Sequence, residues 1–190
     1  MKKSLSEQSK TVKQRREWLI QSLRNHLVPV LLDHGFELAP LTGSGPIDRE
    51  LVLSLPLGRM RRARNAGVDL IEIDLAKCRR AAFRILAGVA PKDGLMAFTG
   101  HWAAEDVYVG WLNEYFTMYA FPRWQIQFSV RHWPHQSPTQ SDFDRLAQRV
   151  AELMPELELA LREGRTAPDM RRWVIPRSAP LQSDAVAGKT

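Results

Sequence analysis

Two strand-like runs lie almost next to each other in the middle of the chain, and they limit the folds that it can adopt. Residues 68–76 alternate between apolar and polar side chains, with Ile71 and Ile73 on one face of the predicted strand. Residues 82–89 follow after a short turn and can pair with the first run in antiparallel fashion. Adjacent runs of this kind are typical of a meander, and they argue against a parallel sheet built from alternating strands and helices.

A helix is predicted ahead of these strands. Ser4 and Glu7, a hydroxyl and a carboxylate three residues apart, form a candidate capping box at its start. Apolar side chains then recur at helical spacing as far as about His34. Pro29 predicts a kink or a break because proline lacks a backbone donor. Gly35 is suited to ending the helix, since it adopts a left-handed conformation at little cost.

A second helical region is predicted at residues 141–163, behind the strands. Ser141 and Asp144 form a candidate capping box at its start, and Pro155 divides the region into two helices. With the first helix and the adjacent strands, this region defines an α+β fold. We expect an antiparallel β-meander packed against an N-terminal and a C-terminal helix.

The segments between these elements carry shorter patterns. Short strands are expected at residues 36–39, 49–55 and 124–133. Residues 91–100 are predicted to form a loop, and residues 106–119 fit either a short helix or another strand. Near the end of the sequence, the apolar triplet Trp173-Val174-Ile175 is expected to dock onto the domain.

Length and composition favour one folded domain with charged or polar ends. The chain has 190 residues, which suits a single domain. We expect a charged helical extension at residues 1–17, one α+β domain at residues 18–176 and a disordered tail at residues 177–190. The single cysteine, Cys78, favours the reducing cytoplasm. Neither a signal peptide nor an apolar run long enough to span a membrane is recognised.

Three short pieces of the chain occur in a familiar order: His34-Gly35-Phe36, then Asp69-Leu70-Ile71-Glu72-Ile73, then the strand that starts at Trp124. With the flanking helices, this order resembles an uncharacterised family of small bacterial α+β domains. The resemblance covers the chain up to about Gly164. It implies a fold of helix, meander and helix, and it carries no established active site.

Four arginines in six residues, Arg59, Arg61, Arg62 and Arg64, form the first candidate site. We interpret them as a basic loop whose planar guanidinium groups suit phosphate, which makes a nucleic-acid surface conceivable. The net charge of +6 and the isoelectric point of about 9.8 agree with an anionic partner of some kind. The alternative is a solvated connection whose arginines pair with acids elsewhere in the fold.

Glu72 and Asp74 form the second candidate site. Two residues apart on a strand, their carboxylates share one face about 7 Å apart and could hold a hard cation or act as an acid–base pair. The spacing to Lys77 does not match a metal-dependent nuclease. The alternative is a polar sheet face with Arg80 or Arg84 opposite across the hairpin.

Histidine and cysteine chemistry has weaker support in the sequence. His132 and His135 flank Pro134 in a loop, and two certain ligands are too few for a transition metal. Cys78 lies among basic residues that would lower the pKa of a thiol, but no base is placed beside it. No phosphate-binding or dinucleotide-binding glycine loop occurs. We therefore predict no catalytic residue, no metal and no cofactor.

Aromatic residues are concentrated between residues 102 and 133. Some must be core residues, whereas Trp102, Trp111 and Trp133 are candidates for a surface that binds a partner. Together with the four arginines, these tryptophans make up the predicted binding residues.

The sequence favours a non-enzymatic protein-binding module, for instance a bacterial accessory or immunity-type protein with an acidic protein partner. A nuclease inhibitor would usually be acidic, and this chain is basic. The first alternative is a nucleic-acid-binding protein that uses the arginine segment, and the second is an enzyme that uses the Glu72 and Asp74 face. The oligomeric state is left open.

Overall fold

An antiparallel sheet with helices against one face forms the frame of the protein. The computed structural model describes residues 5–39, 54–76, 81–97, 100–118, 127–130 and 137–175. Within these residues the strands are β1 (Glu37–Ala39), β2 (Arg59–Arg64), β3 (Gly67–Leu75), β4 (Ala82–Pro91), β5 (Leu95–Ala97), β6 (Gly100–Trp102), β7 (Glu114–Met118), β8 (Phe128–Ser129) and β9 (Met170–Val174).

Seven of these strands form one sheet in the order β1-β2-β3-β4-β7-β9, with β8 paired to the beginning of β4. Neighbouring strands run antiparallel, and Ile73 of β3 lies opposite Ile85 of β4. The predicted α+β class, with an antiparallel sheet and helical regions at both ends of the domain, is confirmed. The turn between β3 and β4, at residues 77–80, lies outside the described residues.

The N-terminal helical region has three parts: α1 (Leu5–Ser22), a π-helical turn (Leu23–Leu27) and α2 (Val28–Asp33). In the π-helical turn, the Val28 N–H donates to the Leu23 carbonyl five residues earlier. Pro29 itself sits in the first turn of α2, where a missing N–H costs little. The predicted break therefore lies one turn before the proline. The wider π-helical turn there keeps the proline ring from clashing with the backbone carbonyl of the preceding turn.

The C-terminal helical region is divided at the predicted place, into α3 (Gln140–Ala151) and α4 (Met154–Glu163), and Pro155 lies in the first turn of α4. The predicted capping box was wrong by two residues. Thr139 caps α3, and the Asp142 carboxylate accepts from the Thr139 backbone N–H at 2.8 Å. Asp144 instead reaches the first helix, as described below.

The sheet is covered on both faces. The helices pack against one face through a stripe of fully buried leucines and the apolar side of β3 and β4; the main members are Leu19, Leu23, Leu27, Leu31, Ile71, Ile73, Phe83 and Ile85. A second, smaller core lies on the opposite face, under residues 95–112; its members include Leu70, Leu86, Leu95, Val107, Val109 and Leu112. The buried strands β3 and β4 therefore carry apolar side chains on both faces.

The covering segment of the second core corrects one prediction. Residues 91–100 were expected to form a loop, and they contain β5 and the start of β6, which pair as a hairpin. Gly94 permits the turn into β5 because its φ is 78°, and a Cβ atom there would lie 2.0 Å from the Trp102 carbonyl oxygen. Two short 3₁₀ turns, Ala104–Asp106 and Val109–Trp111, then lead into β7.

Several predictions fall partly or wholly outside the described residues. Of the strand predicted at residues 49–55, only residues 54 and 55 are described. Of the strand predicted at residues 124–133, residues 127–130 are described, and they contain β8. The predicted strand at residues 36–39 is confirmed as β1. Among the described helices, none combines the length and the apolar character that crossing a membrane requires.

Candidate binding surface

The arginine segment is not a loop. Residues Arg59–Arg64 form β2, a strand held between β1 and β3, with Met60 opposite Ile71. The run of charges concealed the alternation that a strand requires: Met60 is buried with the helices, while Arg59 and Arg61 point to the opposite face. The prediction of a basic loop was wrong for this reason, and the four guanidinium groups divide between two faces of the sheet.

On the helix face, Arg62 and Arg64 meet acids from two elements. The Asp69 carboxylate, which is fully buried, accepts hydrogen bonds from Arg62 Nη2 at 2.7 Å and from Arg64 Nη2. Arg62 also donates to both carboxylate oxygens of Glu158 in α4, at 2.6 and 2.8 Å. Burial alone would raise the pKa of Glu158, but the Arg62 hydrogen bonds and charge outweigh it and lower that pKa. This cluster fastens α4 to the sheet.

On the other face, Arg61 is buried and its donors go to carbonyl oxygens. Arg61 Nε donates to Glu105 at 2.9 Å, Nη2 to Val107 at 2.9 Å and Nη1 to Met60 at 3.0 Å. Burial lowers the pKa of Arg61 to about 10, against the opposing charge of Glu72. Arg61 therefore holds the first 3₁₀ turn of the covering segment against the sheet.

Glu72 and Asp74 share a face, as expected, but each has its own arginine. Glu72 accepts from the Val109 N–H at 3.0 Å and lies 3.6 Å from Arg61 Nη2, and burial raises its pKa. Asp74 accepts from Nε of Arg84, directly across the hairpin, at 2.7 Å. These contacts match the polar-face alternative. In the part of the chain that the structure describes, no three His, Cys, Asp or Glu side chains are grouped to hold a metal ion.

A polar cluster between α1 and α3 has no counterpart in the sequence predictions. The Ser22 hydroxyl donates to Asp144 Oδ1 at 2.7 Å, and Gln140 Nε2 donates to the Ser22 oxygen at 2.8 Å. His26 Nε2 lies 3.4 Å from the same carboxylate oxygen. Although serine, histidine and aspartate meet here, the buried hydroxyl bonds to the carboxylate and not to the imidazole. The arrangement therefore joins two helices and lacks the order of a nucleophile and its base.

Aromatic side chains gather around the second core. Trp102 and Trp111 pack edge to face with ring centroids 5.0 Å apart, and both lie against the second core with Tyr115. Tyr115 in turn stacks on Trp173 of β9, at 6.3 Å and an angle of 15°. We call Trp102, Trp111, Tyr115 and Trp173, which are all partly exposed, the aromatic surface.

Two arginines border the aromatic surface. The Arg171 guanidinium lies 4.2 Å from the centroid of the Trp173 ring. On the opposite side, Arg59 lies 5.2 Å from the centroid of Tyr108, whose ring packs against Trp111 at 4.8 Å. Each contact has the geometry of a cation–π interaction. Arg171 thus places a basic group next to an aromatic ring that remains partly accessible. Tyr108 is buried, and Arg59 is only 13% exposed and donates to the Asp106 carbonyl at 3.2 Å.

Of the predicted binding residues, the structure brings Trp102, Trp111 and Arg59 together at or beside the aromatic surface. Arg61, Arg62 and Arg64 lie away from it in internal contacts, and Trp133 is outside the described residues. Cys78, His132 and His135 are also outside them. Trp173 was expected only to dock, and the sequence of β9, Met-Arg-Arg-Trp-Val, lacks the apolar and polar alternation that would have marked it as an edge strand.

Comparison with known proteins identifies no relative. No protein-family model matches the chain, and no curated protein or solved structure is significantly similar to it. The resemblance to small bacterial α+β domains therefore stays a prediction. Arguments about function have to come from the residues and contacts described above.

Proposed function

We propose that this chain is a cytoplasmic, non-enzymatic protein-binding module of the bacterial accessory or immunity type, with an acidic protein as its partner. The observation that carries the proposal is the aromatic surface with Arg171 at its border. Tryptophan, tyrosine and arginine dominate the binding energy of protein interfaces. A rigid aromatic ring also buries a large area on binding while little conformational entropy is lost.

The internal contacts of the arginines in β2 favour a protein partner over a nucleic-acid partner. Phosphate recognition needs guanidinium donors that can reach the ligand. In β2 the donors of Arg61 and Arg62 are directed to internal carbonyl and carboxylate oxygens, and these side chains are only 7% and 17% exposed. A nucleic-acid backbone would have to displace contacts that hold the domain together.

Charge supports an acidic partner. The chain carries a net charge of +6. Arg62 and Arg64 of β2 form internal ion pairs, whereas Arg171 of β9 lies beside the aromatic surface as a basic group. Among the described residues, no carboxylate forms an ion pair with Arg171. An acidic partner would gain a charge-assisted contact there and would also be steered toward the basic protein in solution.

The test is a pull-down with the tagged full chain from native lysate, run with and without nuclease. Three forms are compared: the wild type, Trp173→Ala, and Arg145→Ala as a control on the outer side of α3, where the Arg145 side chain is 73% exposed. We expect one stoichiometric protein that survives nuclease, is retained by the control and is lost from Trp173→Ala. Recovery of nucleic acid, with proteins that disappear after nuclease, would overturn the proposal in favour of nucleic-acid binding.

A further inference from the structure

The strand β9 lies at the edge of the sheet next to the aromatic surface. It pairs with β7 on one side, and no described strand pairs with its other side. The Ile175 N–H donates to the Asn113 carbonyl at 2.7 Å, which fixes the hydrogen-bonding phase of the pair. Because this phase alternates along an antiparallel ladder, Trp173 and Ile175 direct their backbone groups toward β7. Arg172 and Val174 direct theirs outward.

This outer edge combines three features of a surface that accepts another strand. It presents unpaired backbone donors and acceptors within the described residues, which are a template for strand pairing. Its side chains stay accessible, with Val174 64% and Ile175 45% exposed. The strand itself contains no lysine and no proline, two residue types that commonly block such edges.

Charge selects what can occupy the edge. A second copy that paired β9 with β9 would bring Arg171 and Arg172 of both chains together, and like charges on neighbouring strands are destabilising. Residues 176–190, which follow the strand, contain Arg177, Lys189 and a single acid, Asp184, so their charge does not complement the arginines either. An acidic segment from a different protein does complement the charge of these arginines.

We propose that β9 binds an extended acidic segment of the partner protein as an additional antiparallel or parallel strand. This inference rests on the proposed protein-binding function and names how the partner is recognised. Backbone hydrogen bonds to Arg172 and Val174 supply affinity, as in other complexes formed by strand addition. Acidic side chains of the segment face Arg171 beside Trp173, and apolar ones cover Val174 on the other face.

Arg171, and not Arg172, is the residue that binds the acidic side chains of the partner. Arg172 already forms a two-point ion pair with Glu114 on β7, with Nε 2.6 Å and Nη2 2.7 Å from the two carboxylate oxygens. That pair is neutral as a unit. The Arg171 guanidinium lies against the Trp173 ring, and its N–H groups can still donate to an acceptor on the added strand.

The test uses the full chain and two labelled peptides, one of alternating Glu and Val and one of alternating Lys and Val, with fluorescence anisotropy as the readout. Val174→Pro removes the outward N–H and leaves the ladder to β7 intact, because proline is tolerated where an edge N–H faces solvent. Val174→Ala is the matched control, since it removes the same side chain and keeps the N–H. Arg171→Glu tests the charge without altering the backbone.

We expect the wild type to bind the Glu–Val peptide at least about tenfold more tightly than the Lys–Val peptide. Val174→Pro should lose this binding, Val174→Ala should keep most of it, and Arg171→Glu should reverse the preference. Equal binding of the two peptides, or equal binding by the proline and alanine variants at matched melting temperatures, would overturn the inference. If Val174→Pro still retains the protein that the wild type captures from lysate, strand addition is wrong while protein binding stands.

Discussion

The two arginine-rich strands of this protein, β2 and β9, use the same side chain for opposite purposes. β2 carries four arginines and β9 carries two. In β2 the guanidinium groups face carboxylates and carbonyl oxygens of β3, α4 and the covering segment. In β9, Arg171 lies against an aromatic ring beside the exposed edge, and Arg172 forms a partly exposed ion pair with Glu114. The number of arginines in a segment is therefore a poor guide to its role, which depends on where the strand lies in the sheet.

The physical reason for the difference is burial. A guanidinium inside the fold is costly unless its donors are satisfied, so β2 can occupy the sheet only because acids lie opposite it. An arginine at an edge stays hydrated and needs no internal acid. Removing the acid opposite an arginine of β2 should consequently lower the stability of the fold. Changing the exposed arginine of β9 should instead weaken the binding of a partner protein.

The largest expected effect follows from removing the buried acid of β3. Asp69→Asn leaves Arg62 and Arg64 without their fully buried carboxylate. We expect a loss of about 3 kcal/mol in the free energy of unfolding, measured by urea denaturation. The matched control is Asp74→Asn on the same strand, whose arginine partner is 40% exposed and whose loss should cost less than about 1 kcal/mol. Equal effects of the two changes would mean that burial does not distinguish these pairs.

A smaller effect is expected from Arg61→Lys. An ammonium group cannot donate to three carbonyl oxygens spread around a planar fork, so the contacts to Glu105 and Val107 weaken. We expect a loss of about 1–3 kcal/mol. Because Arg61 holds the segment that carries Trp111, the near-ultraviolet circular dichroism of the tryptophans should also change. An unchanged spectrum together with unchanged stability would show that Arg61 does not hold the covering segment in place.

The sequence predicted the sheet better than it predicted the site, and the contacts explain why. Alternation in residues 68–76 and helical spacing around Leu19 are local patterns, and both survive in the structure. The state of Arg62 depends on Glu158, which lies 96 residues further along the chain. No local pattern contains that information, so the sequence alone leaves phosphate binding and internal pairing as alternatives.

Two further errors concern residues 91–100 and the start of α3. Residues 91–100 were predicted to form a loop, although two strands of three residues each, β5 and β6, suffice for a hairpin there. At the start of α3, Ser141 and Asp144 have the spacing of a capping box, and so do Thr139 and Asp142. The second pair caps the helix because Asp144 bonds to Ser22 in α1, a contact 122 residues apart.

Acid should weaken the β2 cluster through Glu158. Its pKa is lowered in the folded protein, so it contributes stability above its unfolded pKa and loses it as the pH falls through the folded value. We expect Glu158→Gln to be less stable than the wild type near neutral pH and to lose less stability on acidification. Urea midpoints measured from about pH 6 to about pH 3 check this. Parallel curves for the two proteins would contradict it.

The smallest expected effect lies in β9. The Trp173 indole N–H is buried and has no acceptor among the described residues, so this tryptophan carries a polar group that the domain does not use. Trp173→Phe keeps a ring for Tyr115 and Arg171 to pack against. We expect the free energy of unfolding to change by less than about 1 kcal/mol. A larger loss in thermal or urea denaturation would show that the indole N–H serves the fold, whereas near-equal stability would show that an aromatic ring is sufficient at this position. Near-equal stability would complete the contrast with β2, where we expect the loss of an arginine or of its acidic partner to destabilise the fold.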